Sequence, residues 1–282
     1  MSSEFYVISG DVSIYCRQYG QGFPLLLIHG ACVDCDYWNE TAEHLSKCFM
    51  VITYDRRGHA RSNTPPDNDY SISAQANDAA KIIQHFNQPA RVIAHSGGAV
   101  IAMELISTHP TLVNQVILYE PPISDCLERD NEFLDALDEI MGFISKDKPT
   151  RALNRFWQIL GNKDERARVS TPEETRNLKE NSQVFIRHEF VSMFYYKPNY
   201  KRLKEHLIYI AVGELSEAPH VRLIASLLLR ELSCEMIHYP GMHNCAFDLP
   251  ASFAYMSAGI LLMNLQYEVK KQEGFYSVPE LL

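Results

Sequence analysis

The chain has 282 residues, of which 46% are hydrophobic and 22% charged. This composition is typical of a globular protein and excludes the disordered and fibrous classes, and at about 150 residues per domain the length corresponds to roughly two units or one large α/β domain. The formal net charge of −9, without a run of lysine or arginine, would be repelled by phosphate backbones, so we expect no nucleic acid partner.

Three features bear on the cellular setting. Residues 1–4 lack the basic start and apolar stretch of a secretory signal. The longest uncharged run, 249–267, is diluted by polar residues and a proline, so it predicts a core-facing helix and no membrane span. Seven cysteines at scattered spacings, in a chain long enough to bury a core, indicate a reducing environment. We therefore expect a cytoplasmic protein.

The first third of the chain alternates short apolar runs with helix-like stretches. Residues 5–9 and 13–19 predict an opening hairpin, and the continuous apolar run 24–29 is typical of a strand buried on both faces. Alternating strands and helices predict a parallel sheet with helices on both faces. The later elements of this part are predicted at 37–47 (helix), 49–54 (strand), 71–86 (helix), 90–95 (strand), 98–109 (helix) and 114–119 (strand).

The pattern changes after Pro121 and Pro122. From 123 to 205 we predict no strand, because the sequence contains amphipathic stretches rich in aromatic residues. We therefore expect residues 1–122 and 206–282 to form the α/β core and residues 123–205 to be inserted as a helical cap. The predicted helices of the insertion are 128–144, 149–160 and 172–196, and the core resumes with 207–212 (strand), 219–230 (helix), 235–239 (strand) and a final helix.

Ser96 lies where a predicted strand ends and a helix begins at once. Such a sharp turn needs small residues two positions before and after the serine, and Ala94 and Gly98 meet that need. The turn exposes the hydroxyl at a helix N-terminus, where the dipole and the free N–H groups favour developing negative charge. Ser96 is therefore a candidate nucleophile, and a loop serine beside flexible glycines is the plain alternative.

Two further segments accompany Ser96. His29 and Gly30 end the third predicted strand and place the following backbone beside the Ser96 turn. The N–H groups of Ala31 and Gly97 could then donate to one carbonyl oxygen, each contributing roughly 3–4 kcal/mol of barrier lowering. His243 follows the last predicted strand, so serine, acid and histidine would occur in that order along the chain.

With these residues the chain resembles the α/β-hydrolase-fold serine hydrolases, and among them the esterases, across nearly its whole length. The matching segments are His29-Gly30, residues 55–62, the turn around Ser96, the helical insertion and residues 241–243. The resemblance implies a mostly parallel sheet flanked by helices with an inserted cap. It also implies Ser96 as nucleophile, His243 as general base, and Ala31 with Gly97 as oxyanion hole, without a metal or an organic cofactor.

The acid of the triad departs from the commonest pattern of this family. Most members place an aspartate after the seventh strand, where this chain has Ser216. Some place the acid at the end of the sixth strand, where this chain has Glu120. Ligands of open α/β sheets bind at the carboxyl ends of the strands, which favours Glu120. Glu217 and Glu214 are the alternatives.

The leading hypothesis is hydrolysis of a carboxylic ester through an acyl-enzyme on Ser96, with a small-molecule substrate. Cys32, His95 and Trp157 are candidate pocket residues, and the aromatic insertion favours a small or medium, partly apolar substrate. These motifs do not separate carboxylesterase from lactonase, thioesterase, carbon–carbon bond hydrolase or perhydrolase, and they leave the oligomeric state open. Because Ser216 replaces the usual acid, the chain could also be a ligand-binding protein with little or no turnover, and this is the alternative to an enzyme.

Overall fold

The molecule is organised around one sheet. A computed structural model describes residues 2–128, 131–160 and 171–272, and within them eight strands form this sheet. The strands are β1 (Ser2–Ser9), β2 (Val12–Tyr19), β3 (Pro24–Ile28), β4 (Met50–Tyr54), β5 (Ala90–His95), β6 (Val113–Tyr119), β7 (Leu207–Gly213) and β8 (Glu235–Tyr239). Their order across the sheet is β1-β2-β4-β3-β5-β6-β7-β8.

The strand directions confirm the predicted hairpin and the predicted mostly parallel sheet. The β1–β2 and β2–β4 pairs are antiparallel, and every later neighbouring pair is parallel. Parallel neighbours place their carboxyl ends at the same edge of the sheet. The segments that follow β3, β5 and β6 are therefore brought together, and these are the segments that contain Ala31, Ser96 and Glu120.

Helices cover both faces of the sheet, as predicted. Along β3, Leu26 lies in one hydrophobic cluster and Leu25 and Leu27 lie in a second, as expected when side chains alternate between the two faces of a strand. The helices are α1 (Asn39–Leu45), α2 (Ile72–His85), α3 (Gly97–Thr108), α4 (Glu132–Ile144), α5 (Pro149–Ile159), α6 (Pro172–Val184), α7 (Phe190–Phe194), α8 (Tyr200–Leu203), α9 (Pro219–Leu232), α10 (Cys245–Asp248) and α11 (Pro250–Gln272). Side chains of α2, α3 and α9 contribute to the first cluster, and side chains of α1 and α11 contribute to the second.

Residues 123–205, called the helical segment below, connect β6 to β7. Its described part contains α4 to α8, with a π-helical turn, Phe185–Glu189, between α6 and α7, and it contains no strand. The helix predicted from residue 128 begins instead at Glu132, because the Asn131 side chain accepts a hydrogen bond from the first turn. Residues 129–130 and 161–170 of the predicted insertion lie outside the described residues.

The uncharged run near the C-terminus forms part of α11. Phe253, Ala254, Ser257 and Leu261 are buried, a spacing that places one face of the helix against the core, as predicted. The helix continues past the predicted run to Gln272, and residues 273–282 lie outside the described residues. Within the part of the chain that the structure describes, no helix has both the length and the apolar character needed to cross a bilayer.

Candidate functional site

The predicted sharp turn at Ser96 is present between β5 and α3. Ser96 is the N-cap residue of α3 and has φ of 53° and ψ of −123°. A non-glycine residue adopts a positive φ only where the surrounding structure holds it there. The Ser96 N–H group donates to the Tyr119 carbonyl at 2.8 Å, and the Ser96 carbonyl accepts from the Ala99 N–H at 2.9 Å. These bonds hold the turn between two neighbouring strands.

Two glycines allow this turn to approach the end of β3. A Cβ atom on Gly98 would lie 2.6 Å from the Ile28 carbonyl oxygen and 2.7 Å from that of His29. A Cβ atom on Gly30 would lie 3.0 Å from the Cβ atom of Ser96. Any other residue at position 98 or 30 would push the two backbones apart, so the glycines allow the loop after β3 to lie against the serine turn.

Glu120 lies just beyond the end of β6 and is hydrogen-bonded to His243. The distance from His243 Nδ1 to Glu120 Oε2 is 2.6 Å, and both side chains are buried. An ionised carboxylate can only accept, so the ring carries its proton on Nδ1 and leaves Nε2 able to accept another. Glu214 and Glu217, the alternatives, are exposed. Of the three candidate carboxylates, the structure joins Glu120 to the His243 ring.

The Glu120 carboxylate is held in its charged form by three donors. Burial raises its pKa, but the hydrogen bonds from His243, Ser216 and Gly213 outweigh this effect, and the pKa lies below its ordinary value. Ser216 Oγ donates to Oε1 at 2.5 Å and the Gly213 N–H group donates to the same oxygen at 2.8 Å. The carboxylate is therefore ionised and its second oxygen is available to the histidine.

The contact of Ser216 with Glu120 was not predicted from the sequence. Ser216 stands where most of the resembling family has its acid, and its hydroxyl donates to the carboxylate that comes from β6 instead. The two residues are 96 positions apart, so no local pattern connects them. The serine in the usual position of the acid was the one available signal, and it indicated only that the acid had to come from elsewhere.

Two side chains beneath the His243 loop hold it in place. His95 Nε2 lies 2.9 Å from the His243 carbonyl oxygen, and the Tyr119 hydroxyl donates to the Met242 carbonyl at 2.6 Å. The His95 ring also stacks on Tyr37, with ring centroids 4.8 Å apart. His95 is the last residue of β5 and Tyr119 is the last residue of β6, so the loop is anchored to the carboxyl ends of two central strands.

The predicted pair of backbone donors lies on adjacent backbone. A Cβ atom on Gly97 would lie 3.7 Å from the Ala31 nitrogen, so the two peptide groups are neighbours. Gly97 is the first residue of α3, where N–H groups have no acceptor within the helix. The same Cβ position would lie only 2.6 Å from Met193 Sδ, so the thioether of α7 packs directly against Gly97. The packing of Met193 here was not predicted.

A narrow cavity of about 20 Å³ adjoins these groups. Five of the predicted site residues line it, whereas Glu120, Gly97 and Cys32 do not. The Cys32 backbone has φ of 67°, and its side chain is fully buried in the hydrophobic core. No hydrogen bond joins the Ser96 hydroxyl to the His243 ring among the described residues. Such bonds are often long or poorly aligned before a substrate binds. The cavity is lined by Ala31, Val33, His95, Ser96, Phe156, Trp157, Leu160, His243 and Asn244.

The described residues contain no group of three or more His, Cys, Asp or Glu side chains arranged to hold a metal ion. Cys32 and Cys35, the only C-x-x-C pair in the sequence, are both buried, and no disulfide joins them. Burial raises the pKa of the Cys35 thiol well above its ordinary value, which keeps it protonated and unreactive.

The arrangement of Ser96, His243 and Glu120 suits nucleophilic catalysis by Ser96 with His243 as base.

Comparisons with known proteins agree with this arrangement at the level of the fold. Residues 24–205 match the protein family described as alpha/beta hydrolase fold. The chain is 29% identical over 239 residues to an uncharacterized hydrolase, YraK, of Bacillus subtilis (strain 168), which covers 82% of this chain and 86% of the relative.

Two solved structures are also similar. An esterase (EaEST) from Exiguobacterium antarcticum has a TM-score of 0.71 at 18% identity, and the alignment covers 92% of this chain and 99% of the esterase chain. A bromoperoxidase from Bacillus anthracis has a TM-score of 0.70 at 20% identity, and the alignment covers 94% of this chain and 100% of the bromoperoxidase chain. At these identities the structural matches show a shared fold, because one fold can carry many reactions.

Proposed function

Because the chain belongs to the alpha/beta hydrolase family, we propose that it is a serine hydrolase that cleaves a carboxylic ester or a related acyl bond. The reaction would pass through an acyl-enzyme intermediate on Ser96. The observation that supports this most strongly is the 2.6 Å hydrogen bond between His243 Nδ1 and Glu120 Oε2, beside a cavity that Ser96 also lines. The predicted fold, a mostly parallel sheet with flanking helices, is confirmed.

The first half of the reaction transfers the acyl group to the enzyme. Glu120 keeps the His243 proton on Nδ1, so Nε2 accepts the Ser96 proton as Oγ bonds to the substrate carbonyl carbon. The carbonyl oxygen becomes an oxyanion that accepts hydrogen bonds from the N–H groups of Ala31 and Gly97. When the tetrahedral intermediate collapses, His243 protonates the leaving oxygen and the alcohol departs.

The second half releases the acid. His243 removes a proton from a water molecule, whose oxygen bonds to the acyl carbon and forms a second tetrahedral intermediate. Collapse of this intermediate breaks the bond to Ser96 Oγ, which takes the proton back from His243. Glu120 stabilises the positive charge that the ring carries in both halves, and the enzyme returns to its starting state with a carboxylic acid as second product.

The cavity supports a small or medium, partly apolar substrate. Phe156, Trp157 and Leu160 of the helical segment contribute the apolar side chains that face Ser96 and His243. These side chains share the cavity with Ala31 and Ser96 of the core, so a substrate bound there contacts both the core and the helical segment. We therefore propose that the helical segment acts as a cap that opens for substrate and closes to exclude water.

A panel of short-chain p-nitrophenyl esters tests the proposed activity. The wild-type protein should hydrolyse the shorter esters, and a fluorophosphonate probe should add its mass to the peptide that contains Ser96. Ser96→Ala should lower kcat by about 10⁴-fold or more and abolish labelling. The matched control is Ser107→Ala, in the same helix, where the hydroxyl only donates to the Met103 carbonyl.

The same experiment distinguishes the alternative. A folded wild-type protein that neither turns over these esters nor labels at Ser96, yet binds small acyl compounds, would be a ligand-binding protein on the hydrolase fold. Turnover of thioesters or lactones in preference to oxoesters would keep the proposed mechanism and change only the substrate class.

A further inference from the structure

We propose that the buried ion pair of Arg56 and Glu189 is a positioning device that orients the Ala31 N–H group toward the substrate carbonyl. The inference rests on the proposed function, in which Ala31 is one of the two donors to the oxyanion. Arg56 lies in the loop after β4, and Glu189 ends the π-helical turn of the helical segment. Through this pair, the position of the helical segment would control a donor that belongs to the core.

The orientation follows from the geometry of one peptide unit. Arg56 Nη2 donates to the Gly30 carbonyl oxygen at 3.1 Å, and this carbonyl shares its peptide unit with the Ala31 N–H group. Because a trans peptide is planar, its N–H and C=O bonds point in opposite directions. A carbonyl that is held on Arg56 therefore keeps the N–H group directed away from Arg56. Ala31 lines the cavity that Ser96 also lines.

His29 adds a second hydrogen bond to the same carbonyl. The backbone N–H group of Arg56 donates to His29 Nε2 at 3.1 Å, which leaves the ring proton on Nδ1, 3.0 Å from the Gly30 carbonyl oxygen. The Nε–H group of Arg56 faces the same Nδ1 at the longer distance of 3.4 Å, so the shorter bond to Nε2 decides the tautomer. Burial keeps the ring neutral, since it lowers the pKa of His29 well below its ordinary value. The carbonyl thus accepts two hydrogen bonds, one of them from a cation, and such bonds polarise the peptide and strengthen its N–H as a donor.

Glu189 holds the guanidinium in this place. Arg56 Nη1 and Nη2 lie 2.5 and 3.0 Å from the two carboxylate oxygens, and Nη1 also donates to Gln75 Oε1 at 2.6 Å. The Arg56 and Glu189 side chains are only 1% and 0% exposed. Burying two charges costs free energy, and apolar replacements of similar volume are often at least as stable. Stability alone therefore does not account for the pair.

The segment that supplies Glu189 also contacts the second proposed donor. Met193 follows Glu189 by four residues, a spacing that places side chains on one face of a helix. Its sulfur packs against Gly97, and Glu189 reaches the Gly30–Ala31 peptide through Arg56. One short stretch, 185–194, thus contacts Gly97 directly and the Gly30–Ala31 peptide through Arg56, and it contains a π-helical turn, a feature that recurs at functional sites.

The neighbouring residue provides a matched control. Arg57 and Asp78 also form a buried two-bond ion pair, at 2.7 and 2.8 Å, but it joins the same loop to α2. The remaining side-chain hydrogen bonds of Arg57 go to the Asp69 and Ala74 carbonyls, so the two side chains of this pair contact neither Gly30 nor the helical segment. Loss of either ion pair should affect folding, but only loss of the Arg56–Glu189 pair should affect the orientation of the Ala31 N–H group.

The test replaces each pair with apolar residues. Arg56→Met with Glu189→Leu should lower kcat for p-nitrophenyl butyrate by about 10- to 100-fold with KM nearly unchanged, because the donor acts on the transition state. The affinity for a boronic acid that forms a tetrahedral adduct with Ser96 should fall by the same factor. Arg57→Met with Asp78→Leu should keep kcat, KM and this affinity close to wild type. Circular dichroism and urea unfolding verify that both variants fold.

Equal losses of kcat in the two double variants, or an unchanged kcat in the first, would overturn the proposal. Should the first variant fail to fold, Glu189→Gln is compared with Asp78→Asn by the NMR shift of the Ala31 amide proton. That shift should move only in Glu189→Gln, and an unmoved shift overturns the proposal. The NMR measurement needs no turnover, so it separates this inference from the proposed function, which fails if the wild-type protein neither hydrolyses esters nor labels at Ser96.

Discussion

At the scale of single residues, the candidate site is organised by how one buried carboxylate divides its hydrogen bonds. Glu120 uses one oxygen for Ser216 and Gly213 and the other for His243. The first oxygen is thereby fixed, and the second is aimed at the ring. Ser216 supports the carboxylate from the position in which most of the resembling hydrolases place the acid itself, so the role of that position changes from acid to donor.

Glu120→Gln should lower kcat by on the order of 10⁴-fold, because an amide does not hold the His243 proton on Nδ1 or stabilise the charged ring. The measurement is steady-state hydrolysis of a p-nitrophenyl ester near neutral pH. Glu217→Gln and Glu214→Gln are the controls, since both side chains are exposed, and both should retain activity. A large loss in Glu217→Gln with an active Glu120→Gln would contradict the assignment.

Ser216→Ala removes one of the donors that keep the pKa of Glu120 below 4.5. A carboxylate whose pKa is lower in the folded than in the unfolded state stabilises the fold at any pH above its unfolded-state pKa. This stabilisation is lost as the pH falls through the folded-state pKa. The variant should therefore lose about 1–3 kcal/mol of unfolding free energy near neutral pH, and the loss should shrink well below pH 4.5. Urea unfolding at both conditions measures it, and a deficit that is independent of pH would contradict this account.

At the scale of the elements, the site depends on how closely the start of α3 approaches the end of β3. The Ser96 turn and the loop after β3 meet only because positions 98 and 30 have no side chain. This close approach places the backbone of Gly97 beside that of Ala31. The strand-to-helix geometry therefore both exposes the hydroxyl and brings the two proposed donors together.

Gly98→Ala should be strongly destabilising and should lower activity. Its Cβ atom would lie 2.6 and 2.7 Å from two backbone oxygens, which have no flexible side chain that could move aside. We expect a loss of about 2–4 kcal/mol in the free energy of unfolding, measured in urea, and a reduced kcat. The control is Gly142→Ala in α4, where nothing lies within 4 Å, and where alanine should be neutral or stabilising by about 0.5–1 kcal/mol. Equal stability of the two variants would contradict the packing argument.

At the scale of the whole molecule, three histidines, two of them buried and one partly buried, have lowered pKa values that keep their rings neutral near neutral pH. Burial lowers the pKa of His59 to about 4, with the charge of Arg56 as the next cause, and burial beside His243 lowers that of His220 to about 4. His29 is likewise lowered well below its ordinary value of 6.5. His220 stacks on Phe133 of α4 with ring centroids 3.9 Å apart, and His59 Nε2 lies 3.6 Å from Glu189 Oε2, so both rings contact the helical segment.

The protein should therefore become less stable as the pH falls from 6.5 to about 4. In this range the unfolded chain binds protons that the folded histidines do not, so acidification favours unfolding, and His59 alone contributes up to about 3 kcal/mol. Urea unfolding across this range measures the effect. His220→Gln should reduce the pH dependence, whereas His85→Gln, at an exposed position of α2, should leave it unchanged. A stability that rises on acidification would contradict this prediction.

Much of the architecture could be predicted from local patterns in the sequence. Strands buried on both faces appear as continuous apolar runs, as in β3, and a small-x-Ser-x-Gly turn between a strand and a helix marks Ser96. Both signals lie within a few consecutive residues. For that reason the alternation of elements, the parallel sheet and the helical character of residues 123–205 could be predicted without any knowledge of distant contacts.

Contacts between residues far apart in the sequence could not be predicted, because they are determined by how the folded elements pack. Glu120 meets His243 across 123 positions and Arg56 meets Glu189 across 133, and no local pattern records such pairs. Cys32 follows directly on Ala31, yet a φ of 67° and full burial place its thiol in the core. Local sequence specifies where strands and turns occur. Which side chains meet depends on the directions in which the folded backbone points them, and those directions are set by the packed sheet and helices together.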